Sequence, residues 1–153
     1  MTETTPSETK SSGVPPETAT EEWRLLSADV AYTLWKAERR VSHLVDPKAD
    51  AEAWAAAAAD FRVLVRYVLR ALEKEGIKLR YLGPDNSLPV KSDAWRTQTA
   101  RAAWLFWLNA RRRVFPPTEY LEAEAWQHVA ADQRILVRKV FEELGAKGIR
   151  FAP

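Results

Sequence analysis

Apolar side chains recur with helical spacing along the middle of the chain. The spacing alternates between four and three residues over Trp54, Ala58, Phe61, Val65, Val68 and Leu72. Such spacing places the side chains on one face of an α-helix and leaves the other faces to polar residues. The pattern therefore predicts a helix from about residue 47 to residue 75, with this apolar stripe facing a core.

A shorter helix is predicted to precede it, from about residue 21 to residue 42. Thr20 is a favourable N-cap residue at its start, because a threonine hydroxyl can accept a hydrogen bond from a free N–H of the first turn. Asp46 and Pro47 separate the two helices, since proline is tolerated in the first turn of a helix and disfavoured further inside. Gly76 lies where a left-handed residue commonly ends a helix. These signals together predict a helical hairpin.

The same pattern recurs 72 residues later in the chain. When residues 20–81 are placed over residues 92–153 without a gap, 22 of the 62 aligned positions are identical, and only six of these are alanine. Three pairs of tryptophans coincide in this alignment, namely Trp23 with Trp95, Trp35 with Trp107, and Trp54 with Trp126. The agreement exceeds chance pairing in an alanine-rich chain, so we expect an internal duplication.

Two helical units are fewer than a repeat array normally needs. The predicted fold is therefore all-α, with two duplicated helical hairpins forming a four-helix bundle of pseudo-twofold symmetry. Residues 20–81 and 92–153 are the two hairpin repeats, which we expect to form one compact domain. Residues 82–91 are rich in turn-forming residues and are predicted to be a linker. Residues 1–19 are rich in Thr, Ser, Glu and Pro, a composition that predicts a disordered tail.

The composition is that of an ordinary globular protein. Charged residues make up 29%, the formal net charge is +2, and there is no cysteine. The lack of cysteine excludes a disulfide framework and a zinc–thiolate site, and it suits a reducing cytoplasm. The first residues have neither the basic nor the apolar part of a signal peptide, and no apolar run is long enough to span a bilayer. We therefore expect a soluble cytoplasmic protein without a membrane partner.

The usual sequence motifs of enzymes are missing. The only histidines, His43 and His128, stand at positions that differ between the two repeats, so neither belongs to the repeated pattern. The chain has no glycine-rich phosphate loop, no metalloprotease motif and no nucleophile elbow. It also lacks the paired Glu-x-x-His units of carboxylate metal sites in helical bundles. The sequence therefore predicts a non-enzymatic protein with no metal site and no cofactor.

Arginines recur in both repeats and have two interpretations. We favour salt bridges between helices, with Asp60 and Glu52 as the acidic partners, because the planar guanidinium pairs with a carboxylate at two points. The other hypothesis is a pair of clefts that bind anions such as phosphate, the nucleic-acid backbone or an acidic segment. The candidate anion-binding residues are Arg24, Arg39, Arg62, Arg66, Arg96, Arg111, Arg112, Arg113, Arg134 and Arg138.

Some apolar residues lie where a small bundle has no core to bury them. Val63 and Ile135 are almost opposite the apolar stripe in their repeats, on faces that should point to solvent. The segment around Trp104 is apolar around nearly the whole circumference of its helix. Because a bundle of this size cannot bury every side of a helix, we expect apolar surface that is kept for another chain. Trp35 and Trp107 are further interface candidates, since tryptophan is enriched where proteins bind one another.

Three functional hypotheses follow from the sequence. The leading one is a non-enzymatic protein-interaction module that self-associates or acts as an adaptor. The alternative is a nucleic-acid-binding accessory protein that uses its arginine-rich helix faces. The third is a small-ligand sensor with a pocket at the pseudo-twofold axis, lined by Trp35 and Trp107.

Overall fold

The computed structural model describes residues 20–83 and 92–152. Its elements in chain order are α1 (Glu21–Ser42), α2 (Pro47–Lys74), β1 (Leu79–Tyr81), α3 (Asp93–Arg111), α4 (Glu119–Ala146) and β2 (Ile149–Phe151). The four helices confirm the predicted all-α class. No helix within these ranges has the length and apolarity needed to cross a membrane. The predicted tail, residues 1–19, and residues 84–91 of the predicted linker lie outside the described residues.

Side-chain oxygens cap three of the four helices at their N-termini. The Thr20 hydroxyl accepts a hydrogen bond from the backbone N–H of Trp23 at 3.1 Å. The Ser92 hydroxyl accepts one from the N–H of Trp95 at 3.2 Å. The Asp46 carboxylate caps α2 in the same way. Each of these bonds satisfies a backbone donor that has no partner within the helix, which explains why α1, α2 and α3 begin where they do.

The helices pack as a ring in which each contacts two others. α1 packs against α2 and α4, and α3 packs against α4 and α2. Their inner faces share one apolar cluster, whose most buried large side chains include Leu26, Leu34, Leu72, Leu144 and Ile149. The predicted stripe of α2 enters this cluster through Val65, Val68 and Leu72, while Trp54 and Phe61 pack at its edge. The bundle is therefore built around the stripe that the sequence predicts.

A short β-ribbon joins the two halves of the chain, and the sequence analysis missed it. β1 and β2 pair antiparallel with Leu79 opposite Phe151. The ladder continues beyond the strands, where the N–H of Leu82 donates to the carbonyl of Gly148 at 2.7 Å. Strands of three residues are too short for an apolar–polar alternation to be visible in the sequence. The ribbon is a contact between distant segments, which local periodicity does not encode.

The two glycines that follow the long helices allow a test of backbone strain. Gly148 has a φ of +91°, and a Cβ built on it would lie 3.0 Å from the carbonyl carbon of Gly83. Gly76 has a φ of +84°, and its Cβ would have nothing within 4 Å. We expect Gly76→Ala to lower the free energy of unfolding by about 1 kcal/mol, the penalty of a left-handed alanine. Gly148→Ala should lower it further, because the ribbon backbone must also move. Urea unfolding measures both, and equal losses would contradict this assignment.

Candidate functional site

An aromatic cluster joins α1 and α2 next to their connecting loop. The ring centroids of Trp35 and Trp54 are 5.1 Å apart, and Tyr32 meets Trp54 edge-on at 5.3 Å. Two guanidinium groups lie over these rings, Arg39 at 5.7 Å from Trp35 and Arg62 at 5.6 Å from Trp54. Such contacts add cation–π attraction to the burial of the rings. Tyr32, Trp35 and Trp54 are called the first aromatic cluster below.

A second aromatic cluster joins α3 and α4 and consists of Trp104, Trp107 and Trp126. Trp107 and Trp126 are 5.2 Å apart, and Trp104 meets Trp126 edge-on at 5.3 Å. Arg111 lies 5.6 Å from the centre of the Trp107 ring, and Arg134 lies 5.8 Å from that of Trp126. Each of these residues is 72 positions after its counterpart in the first cluster. Trp35, Trp104 and Trp107, predicted as interface residues, are thus half-buried between the two helices of a hairpin.

Ion pairs stand beside both clusters. The Asp50 carboxylate accepts hydrogen bonds from Arg39, at 2.5 Å, and from Arg40. At the matching positions, Arg112 donates two hydrogen bonds to Glu122, at 2.8 and 2.9 Å. Hydrogen bonding to these arginines lowers the pKa of both carboxyl groups. Each hairpin is therefore closed at its loop by an aromatic cluster and an ion pair.

The predicted salt bridges between helices exist, but their predicted acidic partners are wrong. Over the described ranges neither Asp60 nor Glu52 forms an ion pair, and Asp60 contributes only its backbone carbonyl, to Arg113 at 3.3 Å. The actual partners are Asp50 and Glu122. These positions carry different acids in the two repeats, so a comparison that kept only identical residues passed over them. A comparison by charge would have found both.

The candidate anion-binding arginines of one repeat cannot all line a single cleft. Arg24 and Arg39 are 15 residues apart on α1, or roughly 22 Å at a rise of 1.5 Å per residue, so they cannot line one small site. Arg24 and Arg96 are exposed near the starts of α1 and α3. Arg66 and Arg138 are half-buried, and each has a buried Nε atom without a hydrogen-bond partner among the described residues.

The outward face of α2 carries an exposed apolar stripe. Val63 is 58% exposed and Tyr67 is 62% exposed, and Ala56 and Ala59 precede them at helical spacing on the same face. These four residues are called the outer stripe of α2. Ile135, which corresponds to Val63 on α4, is also 54% exposed. The α4 face lacks a continuous stripe, because its other matching residues are His128, Ala131 and Lys139.

A groove with a volume of about 380 Å³ lies where α1, α3 and α4 meet. Its lining includes Glu38, Val41, Phe106, Trp107, Gln133 and Leu136. The sequence analysis expected a pocket between Trp35 and Trp107. Trp107 lines the groove, whereas Trp35 packs into the first aromatic cluster.

Among the described residues that line this groove, Glu38 is the only acidic one. Part of its side chain is open to solvent, yet the protein around its carboxyl group raises the pKa to about 7 by desolvation. Its carboxylate forms no ion pair or hydrogen bond with any residue that the structure describes. The groove therefore combines apolar walls with one carboxylate that lacks a partner from the bundle itself.

Within the described ranges, no three His, Asp or Glu side chains lie close enough together to hold a metal ion. No protein-family model matches this chain. Comparison with curated proteins and with solved structures finds no similar chain. A functional assignment therefore depends on the surfaces and the groove described above.

The ion pair in the second hairpin gives a test of what the carboxylates do. We expect Glu122→Gln to lower the urea midpoint at pH 7, because Glu122 is only 3% exposed and Arg112 would lose its ionised partner. Arg112 holds the pKa of Glu122 below the ordinary value of 4.5. The stability that ionised Glu122 contributes to the fold is therefore present above pH 4.5. It is lost as the pH falls through the lowered pKa, where the carboxylate becomes protonated. The difference between variant and parent should shrink in acid.

Asp60→Asn is the matched control, because the Asp60 side chain has no ion pair in the described part of the chain. At a protein concentration low enough to keep the chain monomeric, it should leave the urea midpoint at pH 7 unchanged. If Asp60→Asn lowered the urea midpoint as much as Glu122→Gln, Asp60 would be a salt-bridge partner after all.

Proposed function

We propose that this protein is a non-enzymatic interaction module that self-associates through the outer stripe of α2. The observation that carries the proposal is the exposure of Val63 and Tyr67, at 58% and 62%, on one continuous helix face. Contiguous exposed apolar surface of this kind commonly marks a site where another protein binds. The flanking Ala56 and Ala59 are small, so a second helix can approach the α2 backbone closely.

The charges along this face favour a second copy of the same chain as the partner. Consider two α2 helices packed antiparallel and centred on Val63. Residues at equal distances on either side of Val63 then meet across the interface. Glu52 meets Lys74 of the second copy, and Asp60 meets Arg66, because each pair lies the same number of residues from the centre. Opposite charges thus face each other four times in the symmetric pair, as an isologous interface requires.

The same arrangement also matches side-chain sizes. Ala59 and Tyr67 lie four residues before and after Val63, so the small residue of one copy meets the large ring of the other. At 100° per residue, Ala59, Tyr67, Glu52 and Lys74 all lie within about 40° of the direction of Val63. They are exposed in the bundle and are available together on one face.

The matching face of α4 keeps only part of this complementarity, because Asp132 and Arg138 would still meet as Asp60 and Arg66 do, but the other pairs are lost. Lys139 stands where α2 has Tyr67, and Ala146 stands where α2 has Lys74. An antiparallel pair of α4 helices would therefore place Lys139 against Ala131 and leave Glu124 without a cation opposite it. This difference favours α2 over α4 as the self-association surface and makes α4 an internal control.

We further propose that the two hairpins arose by duplication and are related by a pseudo-twofold axis. The 22 identities among 62 aligned positions support this. The aromatic contacts support it as well, since the Trp35–Trp54 and Trp107–Trp126 distances are 5.1 and 5.2 Å. In the ribbon Leu79 pairs with Phe151, its own counterpart 72 residues later, which is the pairing that a twofold axis through the ribbon generates.

Substitutions on the outer stripe test the proposed dimer. We expect Val63→Asp to weaken self-association at least tenfold, since it places two carboxylates at the centre of an apolar contact, and a tenfold change corresponds to about 1.4 kcal/mol. Tyr67→Lys, which copies the residue found on α4, should have a similar effect. Sedimentation velocity measures the dimer, and circular dichroism checks that both variants keep their helices. Ile135→Asp is the matched control and should leave the dimer intact.

A charge exchange tests the antiparallel geometry itself. Glu52→Lys and Lys74→Glu should each weaken the dimer, and the double variant should restore it, because the opposite charges meet again. A dimer that survives Val63→Asp but dissociates with Ile135→Asp would move the interface to α4. A parent protein that stays monomeric at high concentration would remove the proposal.

Nucleic-acid binding is a second proposal with a narrower basis. It is supported by Arg24 and Arg96, which are exposed and have no ion pair among the described residues. Arg39, Arg40 and Arg112, in contrast, are already bound to carboxylates. Binding of a labelled DNA duplex that weakens steeply with salt and is reduced by Arg24→Ala with Arg96→Ala would support this alternative. Equal binding by that double variant would contradict it.

A further inference from the structure

The groove between α1, α3 and α4 has the dimensions of a small-molecule site. Its volume of about 380 Å³ falls within the range of roughly 300–1,000 Å³ that is typical of ligand pockets. Its walls are mainly apolar, with the aromatic side chains of Phe106 and Trp107 on α3 and Leu136 on α4. Two polar side chains, Glu38 and Gln133, reach the same space. Apolar walls with a few polar groups are the usual composition of a site that binds and orients one small molecule.

The lining of the groove differs from the matching residues of the other hairpin, and two of these differences bear on its space and its charge. Gln133 on α4 stands where α2 has Phe61, whose ring packs against Trp54 at 6.5 Å and against the core. The shorter, polar glutamine does not provide this aromatic packing. Ala110 on α3 stands where α1 has Glu38, so only one carboxylate enters the groove. Reduced aromatic packing and one acidic side chain thus coincide in the lining of this groove.

The charge of Glu38 determines which ligand fits. Glu38 shares the groove with Val41, Phe106 and Leu136, and its carboxylate has no cationic partner in the described part of the chain. An ionised carboxylate near apolar surface is stabilised by a cation that brings its own hydrogen-bond donors. An anion would be repelled, and a neutral apolar molecule would leave the carboxylate still more desolvated. The side-chain oxygen of Gln133 supplies a second acceptor for an N–H donor.

We propose that this groove binds a small organic amine, with its ammonium group at Glu38 and Gln133 and its apolar body against Phe106, Trp107 and Leu136. The site is separate from the outer stripe of α2, so it does not depend on the proposed self-association. It also joins residues of both hairpins, since α1 belongs to one and α3 and α4 to the other. A bound amine stabilises the bundle by bridging them.

Three molecules of similar shape and different charge test the proposal. The probe is 2-phenylethylamine, the neutral comparison is 2-phenylethanol, and the anionic comparison is 3-phenylpropanoate. Calorimetry at pH 8, where Glu38 is mostly ionised, should give a dissociation constant of about 1 mM or below for the amine. The alcohol and the carboxylate should each bind at least tenfold more weakly. The indole N–H resonance of Trp107 should shift with the amine, which locates the molecule in the groove.

Glu38→Gln should reduce the affinity for the amine at least tenfold without reducing the affinity for the alcohol, which no longer has to desolvate a carboxylate. The variant is expected to fold, because burial raises the pKa of the Glu38 carboxyl group and an uncharged amide removes that unfavourable desolvation. Glu124→Gln, which replaces an exposed carboxylate elsewhere on α4, is the matched control and should bind like the parent. Equal binding of amine and alcohol, unchanged affinity in Glu38→Gln, or no binding of the amine at millimolar concentration would each overturn the proposal.

Discussion

The contact between tryptophans at the loop end of each hairpin is the interaction on which the rest of the structure depends. From Trp35 to Val63 no residue is fully buried, so nearly half of the first hairpin reaches the central core only through partly buried side chains. That part of α1 is held to α2 by the first aromatic cluster and by the two arginines bound to Asp50. The second hairpin uses the same device around Trp107 and Trp126. Without these contacts the loop ends of both hairpins would separate, because apolar burial there is too small to offset the entropy of ordering the helices.

This role for the aromatic clusters explains the use of arginine in the chain. A guanidinium can lie flat over an indole ring and donate in-plane hydrogen bonds to a carboxylate at the same time. Arg39 does both, over Trp35 and with Asp50. A lysine at this position would offer a point charge without the planar donor geometry. The recurrence of arginine in both hairpins is therefore accounted for largely by packing. Among the arginines found at matching positions, only Arg24 and Arg96 face solvent with neither a ring nor a carboxylate partner in the described part of the chain.

The sequence predicted what depends on local spacing and missed what depends on distant contacts. The helix starts at Thr20 and Ser92, the stripe through Val65 and the outward direction of Val63 follow from periodicity and capping, which act over a few residues. The β-ribbon brings together segments about 70 residues apart, and no local signal marks it. The groove was expected between Trp35 and Trp107 but depends on Gln133 being smaller than an aromatic residue. Which space a side chain leaves empty is known only once the neighbouring helices are in place.

The comparison of the two halves separates residues that hold the bundle from residues that can act on other molecules. Several positions at which both halves agree, such as Trp54 and Trp126, are occupied by contacts within each hairpin, so their side chains have little surface left for a partner. Positions at which the halves differ are free of that requirement. Tyr67 and Glu38 are of this kind, and their counterparts Lys139 and Ala110 show that the fold accepts other residues there. Tyr67 is an exposed aromatic residue, and Glu38 is a charged residue without a partner in the described part of the chain. Because neither residue is needed for packing, contact with another molecule is the most direct explanation for it. The proposals of a second copy at α2 and of an amine in the groove both depend on residues of this kind.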